Sequence, residues 1–285
     1  MRIVCVLVLL VVSGCGGAVS DNGANNGINA PASNQVAATN LHVAPNTEAS
    51  AQTVTINSPD GVKIIGSYYE TPKPNSPAVL LLHQWQSDRH SYNDFAKRLQ
   101  EKGFNVLAID GRGFGESVKT ADGKAVQSER TDDAVKAMIA DVGTAIDFLL
   151  KQKNVDPNEI GIVGASYGSS LAIIYAADDP KVKAVVLLSP GLNYFGNMQT
   201  RPAVEKYGNR DLFIVASKGD TESAKAVDGL TIGNPRHGFM VLPVGSYHGT
   251  DMFKYRDKTD GPPVVEDAVE GFLMTRLGLA KADYK

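Results

Sequence analysis

The chain has 285 residues but only two cysteines, Cys5 and Cys15. Beyond Cys15 there is no thiol, which excludes a disulfide, a cysteine-based metal site and a cysteine nucleophile from the rest of the chain. Neither sign of charge dominates, with a formal net charge of −3. With no basic run and no nucleic-acid-binding motif, nucleic acid is not expected as a partner. The apolar run from Ile3 to Val12 is too short to span a bilayer, which takes about 20 residues. The glycine-rich stretch from Asp110 to Ser117 lacks the Gly-Lys-Ser/Thr ending of a phosphate loop. What remains is an ordinary globular composition, 43% apolar and 21% charged. Its length suits one large α/β domain better than two.

Met1-Arg2, a short apolar core and small residues before Cys15 describe a secretory signal. The run Val12-Ser13-Gly14-Cys15 resembles a bacterial lipobox. That resemblance implies cleavage before Cys15 and lipid attached to it, so that the protein is exported and held on a bacterial membrane. Gly16, where an Asp would signal inner-membrane retention, points to the outer membrane. The stretch from Gly16 to Ala51 is rich in Asn, Ala, Ser and Gly and has few large apolar residues. It cannot bury enough surface to offset its ordering entropy and reads as a flexible tether. The expected organisation is a signal peptide over 1–14, a tether over 15–51 and one globular domain over 52–285.

Within the domain, Gln52 to Ile56 and Val62 to Tyr69 flank the turn Asn57-Ser58-Pro59-Asp60-Gly61 and read as an edge hairpin. Continuous apolar runs at Ala78–Leu82, Asn105–Ile109, Ile160–Val163, Val182–Leu188, Asp211–Ala216 and Phe239–Pro243 read as strands buried on both faces. Amphipathic helices are expected over Tyr92–Lys102, from Thr131 to Leu150, and over Val264–Leu277. Thr131 is a good N-cap, with Asp132 and Asp133 suited to the helix dipole. Gly191 to Arg210 reads as irregular, with room for a small lid only.

The strand at Ile160–Val163 runs into Gly164-Ala165-Ser166-Tyr167-Gly168, and a helical stretch follows. Strand, G-x-S-x-G and helix in that order turn the chain sharply and lift the serine clear of the backbone. Asp220 and His248 follow, each after a later buried strand. Ser, Asp, His is the chain order expected of an α/β hydrolase. From Ala78 to Leu277 the chain resembles that superfamily. The small cap and the run Tyr247-His248-Gly249-Thr250-Asp251-Met252-Phe253 look most like dienelactone-hydrolase-type and related small esterases. Those hydrolases use cysteine where this chain has Ser166, so their particular substrate is not carried over.

The resemblance implies an α/β fold, a doubly wound, mostly parallel sheet of about eight strands with helices on both faces. It implies Ser166 as nucleophile, His248 as base and Asp220 as the residue that orients the base. The oxyanion would be held by the N–H of Tyr167 and that of Trp85, with Gln84 as the alternative. Glycine usually follows the histidine of that loop; here Gln84 follows His83. Asp110-Gly111-Arg112-Gly113-Phe114-Gly115-Glu116-Ser117 resembles a structural loop of the family. His83, which precedes the serine and reads as a loop-packing histidine, and His237, which precedes the last strand, are rivals to His248 as base. Asp228, past its strand, is a rival acid. Trp85, Tyr167, Phe195 and Met198 are candidates for an acyl pocket, with ordinary packing as the alternative. The expected activity is cleavage of small to medium carboxylic esters through an acyl-enzyme, without cofactor or metal. A peptidase or amidase on the same residues, and a binding protein on a hydrolase fold that has lost its chemistry, remain open readings.

Overall fold

The computed structural model describes residues 51–231 and 233–279. The expectations for the signal peptide, for Cys15 and for nearly all of the tether lie outside the described residues.

The chain opens with the antiparallel hairpin of β1 (Gln52–Asn57) and β2 (Lys63–Tyr69). Then come β3 (Ser76–Leu82), α1 (Asn93–Glu101), β4 (Asn105–Ile109), α2 (Asp132–Leu150), β5 (Val155–Ala165), α3 (Tyr167–Asp178) and β6 (Val182–Leu188). A small hairpin, β7 (Asn193–Tyr194) and β8 (Met198–Gln199), leads into α4 (Thr200–Tyr207). β9 (Asp211–Ser217), α5 (Thr221–Leu230), β10 (His237–Leu242) and α6 (Val264–Arg276) complete the order. Eight strands form one sheet in the order β1-β2-β4-β3-β5-β6-β9-β10. From β4 to β10 every pairing is parallel, and only the β1–β2–β4 edge runs antiparallel.

The central strands are apolar throughout because helices cover both faces of the sheet. Every residue of β3 and β4 is buried. On one face α2, α3, α4 and α5 pack over Leu80, Leu107, Ile162, Leu187 and Ile214. On the other, α1 and α6 pack over Val79, Val106, Val163, Val186 and Val215. Period-two alternation along each strand thus feeds both cores, and burying one such side chain contributes about 1.5–3 kcal/mol. α2 starts as its sequence requires: Thr131 Oγ1 accepts from the Ala134 N–H at 3.2 Å, ahead of Asp132 and Asp133.

Three features depart from the sequence reading. Residues 193–207, expected to be irregular, hold the β7–β8 hairpin and α4. α5 had no counterpart among the expected helices. β10 begins at His237, so that histidine lies inside the strand rather than before it. Among the described residues, no helix is long and apolar enough to cross a membrane.

The Asp110–Ser117 loop is fixed by two buried ionic networks. Asp110 accepts from the Arg89 and Glu116 N–H groups, each at 2.8 Å, and pairs with the Arg89 guanidinium. Arg112 forks onto Asp141 of α2, with Nε–Oδ2 and Nη2–Oδ1 both at 2.7 Å, and also reaches Asp60 at 2.6 Å. The loop is thereby tied to α2 and to the β1–β2 turn. Removing one partner of a buried pair leaves an uncompensated charge. Asp141→Ala should therefore cost about 3 kcal/mol of unfolding free energy, read by urea denaturation at neutral pH. A loss too small to resolve would show that the network does not hold the loop.

Candidate active site

β5 ends at Ala165 and α3 begins at Tyr167, so Ser166 alone makes the turn between them. It does so with φ 52° and ψ −122°, a conformation L-residues rarely adopt. Its N–H donates to the Leu188 carbonyl of β6 at 2.8 Å. The two glycines of the motif are sites of close approach. A Cβ on Gly164 would collide with the Gly168 backbone, and one on Gly168 would lie 2.6 Å from the His83 carbonyl oxygen. The helix is thus pressed against the strand ends, and the serine is the residue left pointing out.

Ser166, His248 and Asp220 come together. Ser166 Oγ lies 2.8 Å from His248 Nε2, and His248 Nδ1 lies 2.7 Å from Asp220 Oδ2. The carboxylate accepts from Nδ1–H, which leaves Nε2 bare to accept the serine proton. Burial acts to raise the Asp220 pKa. The hydrogen bonds from His248 and Ser223 outweigh it and hold the carboxyl below its ordinary range. Its other oxygen, Oδ1, caps α5 through the Ser223 N–H at 3.5 Å. The acid is therefore an anion at the start of a helix, where the dipole favours negative charge.

Strand order explains the meeting. β5, β6, β9 and β10 are neighbours, and the loops at the carboxyl ends of β5, β9 and β10 carry Ser166, Asp220 and His248. The rivals are elsewhere. His237 lies at the amino end of β10, its Nε2 donating to the Gly208 carbonyl at 2.9 Å. Asp228 is exposed near the end of α5. His83 is fully buried and structural: its Nε2 accepts from the Gly111 N–H at 2.8 Å and its Nδ1 donates to the Gln84 carbonyl at 2.7 Å. It thus joins the loop after β3 to the loop after β4.

The N–H groups of Gln84, Trp85 and Tyr167 face no protein acceptor among the described residues. That of Tyr167 belongs to the first turn of α3, whose N–H groups have no intrahelical partner. Trp85 packs edge-on against Phe114, Tyr167 and Phe195, at centroid distances of 4.8, 5.3 and 4.7 Å. The Arg130 guanidinium lies 4.8 Å from both the Trp85 and Phe195 rings. Met198 is a correction to the acyl-pocket expectation. Its side chain is wholly enclosed in the core beneath the β7–β8 hairpin and does not open onto the site. Tyr167 is also enclosed, at 2% exposure, which leaves Trp85 and Phe195 as the expected residues at the surface.

Two residues of the site had no signal in the sequence. Tyr194, at the end of β7, donates to the Ser189 carbonyl at 2.9 Å. Burial pushes that phenol up, so it stays protonated. Ser189, buried with φ 49° just past β6, accepts the Gly249 N–H on Oγ at 2.9 Å. Ser189 thus joins two loops distant in sequence. Among the described residues, no group of three or more His, Cys, Asp or Glu side chains is placed to hold a metal ion.

A mostly parallel eight-stranded sheet with a strained serine turn after β5 is the α/β-hydrolase fold. Residues 73–210, a little under half of the chain, match the family model described as serine aminopeptidase, S33. A thiohydrolase of Aspergillus aculeatus is 29% identical over 132 residues, covering 46% of this chain and 39% of that protein. The aligned stretches span about half the length, or less, of the curated relatives they match. An esterase of Pyrococcus furiosus superposes with a TM-score of 0.63 at 19% identity, covering 80% of this chain and 91% of that one. An acetyl xylan esterase from a Paenibacillus species gives 0.64 at 16% identity, over 83% and 87% of the two chains.

Two measurements check this local structure. Gly164→Ala should destabilise the fold or abolish it, read as a fall in Tm; an unchanged Tm would mean that strand and helix are not in contact at the turn. Burial holds His83 below its ordinary pKa of 6.5. Its contribution to stability is therefore complete above that value and is lost as pH falls from it toward the folded-state pKa. Wild type should lose unfolding free energy between pH 7 and 5 more steeply than His83→Gln; equal slopes would show that His83 titrates freely in the fold.

Proposed function

We propose that the protein is a serine hydrolase that cleaves small to medium carboxylic esters through an acyl-enzyme. The observation that carries this reading is the unbroken chain from Ser166 Oγ through both ring nitrogens of His248 to Asp220. A serine hydroxyl is a weak nucleophile at neutral pH. In this reading His248 takes its proton as Oγ attacks the ester carbon, then returns it to the departing alkoxide. Water, activated by the same imidazole, releases the acid and restores the serine. Asp220 keeps the imidazole in the required tautomer and stabilises its cationic form. The N–H groups of Tyr167 and Trp85, with Gln84 as the alternative second donor, hold the oxyanion. Losing one such donor costs roughly 3 kcal/mol in the barrier. The aromatic wall of Trp85, Phe114 and Phe195 supplies the apolar side of an acyl site. The β7–β8 hairpin and α4 form only a small cap over it, which suits substrates of modest size.

Peptide or amide cleavage is the second reading, and the match to a serine aminopeptidase model is what favours it. The two readings share every residue named above, so substrate comparison decides between them. We also propose that Cys15 carries a lipid anchor and that the tether leaves the domain at a membrane surface.

A nitrophenyl ester series from acetate to long acyl chains should be turned over, with rates falling as the chain lengthens. Ser166→Ala should lower kcat by at least about 10⁴-fold in a protein that remains folded. Turnover of aminoacyl nitroanilides but not of the esters would replace the ester reading with the peptidase one; turnover retained by Ser166→Ala would remove the serine from the mechanism. Cys15→Ala should move the protein from the membrane fraction to the soluble one. A wholly soluble wild type would end the anchor proposal.

A further inference from the structure

Gln84 stands where the family usually has glycine, and the structure gives its side chain a partner. Gln84 Oε1 accepts from Thr250 Oγ1 at 3.0 Å and from the Thr250 N–H at 3.3 Å. Thr250 is two residues beyond His248. The carboxamide therefore crosses from the loop of the proposed oxyanion donors to the loop of the proposed base. Its own backbone is fixed from the other side: the Gln84 carbonyl accepts from His83 Nδ1 at 2.7 Å and from the Ser87 N–H at 3.2 Å.

The crossing is built for this side chain. At Gly249 a Cβ would lie 3.0 Å from Gln84 Oε1 and 3.3 Å from Gln84 Cβ, and the residue has φ +58°. A side chain at 249 would compress the strap as well as strain the turn. The histidine loop has few other anchors. At its start, the Gly245 carbonyl accepts from the Gly219 N–H at 2.8 Å and from Ser217 Oγ at 2.5 Å. Just after His248, the Gly249 N–H is held by Ser189 Oγ. Gln84 is the anchor that comes from the oxyanion side.

We infer that Gln84 is a positioning residue, a strap that holds His248 and the oxyanion donors in one fixed relation. A glycine at this position could not form it. The strap acts through His248 and not on substrate, so it changes how often base and oxyanion donors are aligned together. This inference rests on the proposed roles of those groups, but the strap itself can be read without turnover.

The test uses the full chain and four variants: Gln84→Ala, Gln84→Glu, Thr250→Val and the double variant Gln84→Ala/Thr250→Val. Amide hydrogen exchange of the segment 244–254 should quicken by about tenfold in Gln84→Ala, the scale of one lost hydrogen-bond pair. Gln84→Glu keeps an acceptor for Thr250 and should restore protection. With a nitrophenyl ester, Gln84→Ala should lower kcat by about tenfold and leave KM within twofold. The double variant should be no slower than Gln84→Ala, because both changes break one link. Exchange unchanged in Gln84→Ala would overturn the strap. Faster exchange with kcat unaltered, or effects on kcat that multiply in the double variant, would overturn its positioning role. Were wild type to hydrolyse no ester, the hydrolase reading would fail by itself, and the exchange result alone would decide whether the strap exists.

Discussion

Everything at the site depends on one strained turn. Ser166 occupies a backbone conformation that costs about 1–3 kcal/mol, and it persists only because its surroundings leave no other path. β5 delivers the chain along the buried middle of the sheet, and α3 must start at once to cover it. The glycines at 164 and 168 let strand and helix approach until a methyl group would not fit. The Ser166 N–H is taken by Leu188 of the next strand. The core thus supplies the energy that holds Ser166 in this turn at the carboxyl end of β5, so the strain is a product of packing rather than a property of the pentapeptide.

Beyond the turn, alignment is a matter of loops tied to one another. Four adjacent strands end on the same side, and each contributes: Ser166 after β5, Ser189 after β6, Asp220 after β9 and His248 after β10. Asp220 is oriented twice, by the imidazole and by the helix it caps. His248 gains its tautomer from Asp220 and its position from the hydrogen bonds on Gly245, Gly249 and Thr250. The parallel sheet brings the strand ends within reach, and these short polar contacts convert nearness into distances of 2.7 and 2.8 Å. Proton transfer along such a chain is sensitive to errors of about 1 Å. In the proposed reaction, the buried serines and amides around Ser166, His248 and Asp220 therefore bear on rate.

Much of this was legible in the residues. The central strands announce themselves as uninterrupted apolar runs, since two covered faces leave no polar side. The period of Val135, Met138, Val142, Ile146 and Leu149 marks α2, and Thr131 marks its start. The turn at Ser166 was readable because glycines at two fixed spacings and a flanking strand and helix all encode one geometry. What could not be read depends on where loops meet. Tyr194 and the β7–β8 hairpin lie in a stretch without periodicity, and their order comes from packing on Trp85 and Phe195. Met198 looked like a pocket residue by position, but the hairpin turns it into the core. Gln84 looked like a departure from a pattern, and only the fold reveals Thr250 across from it.

The most direct test of the central claim is the reaction of the folded protein with a fluorophosphonate, followed by mass spectrometry of its peptides. An activated serine attacks phosphorus and expels fluoride, so the account predicts a single stable adduct on Ser166, formed far more slowly when His248 is replaced by alanine. A folded protein that takes up no label, or takes it up on another residue, would contradict the assignment of Ser166 as the nucleophile.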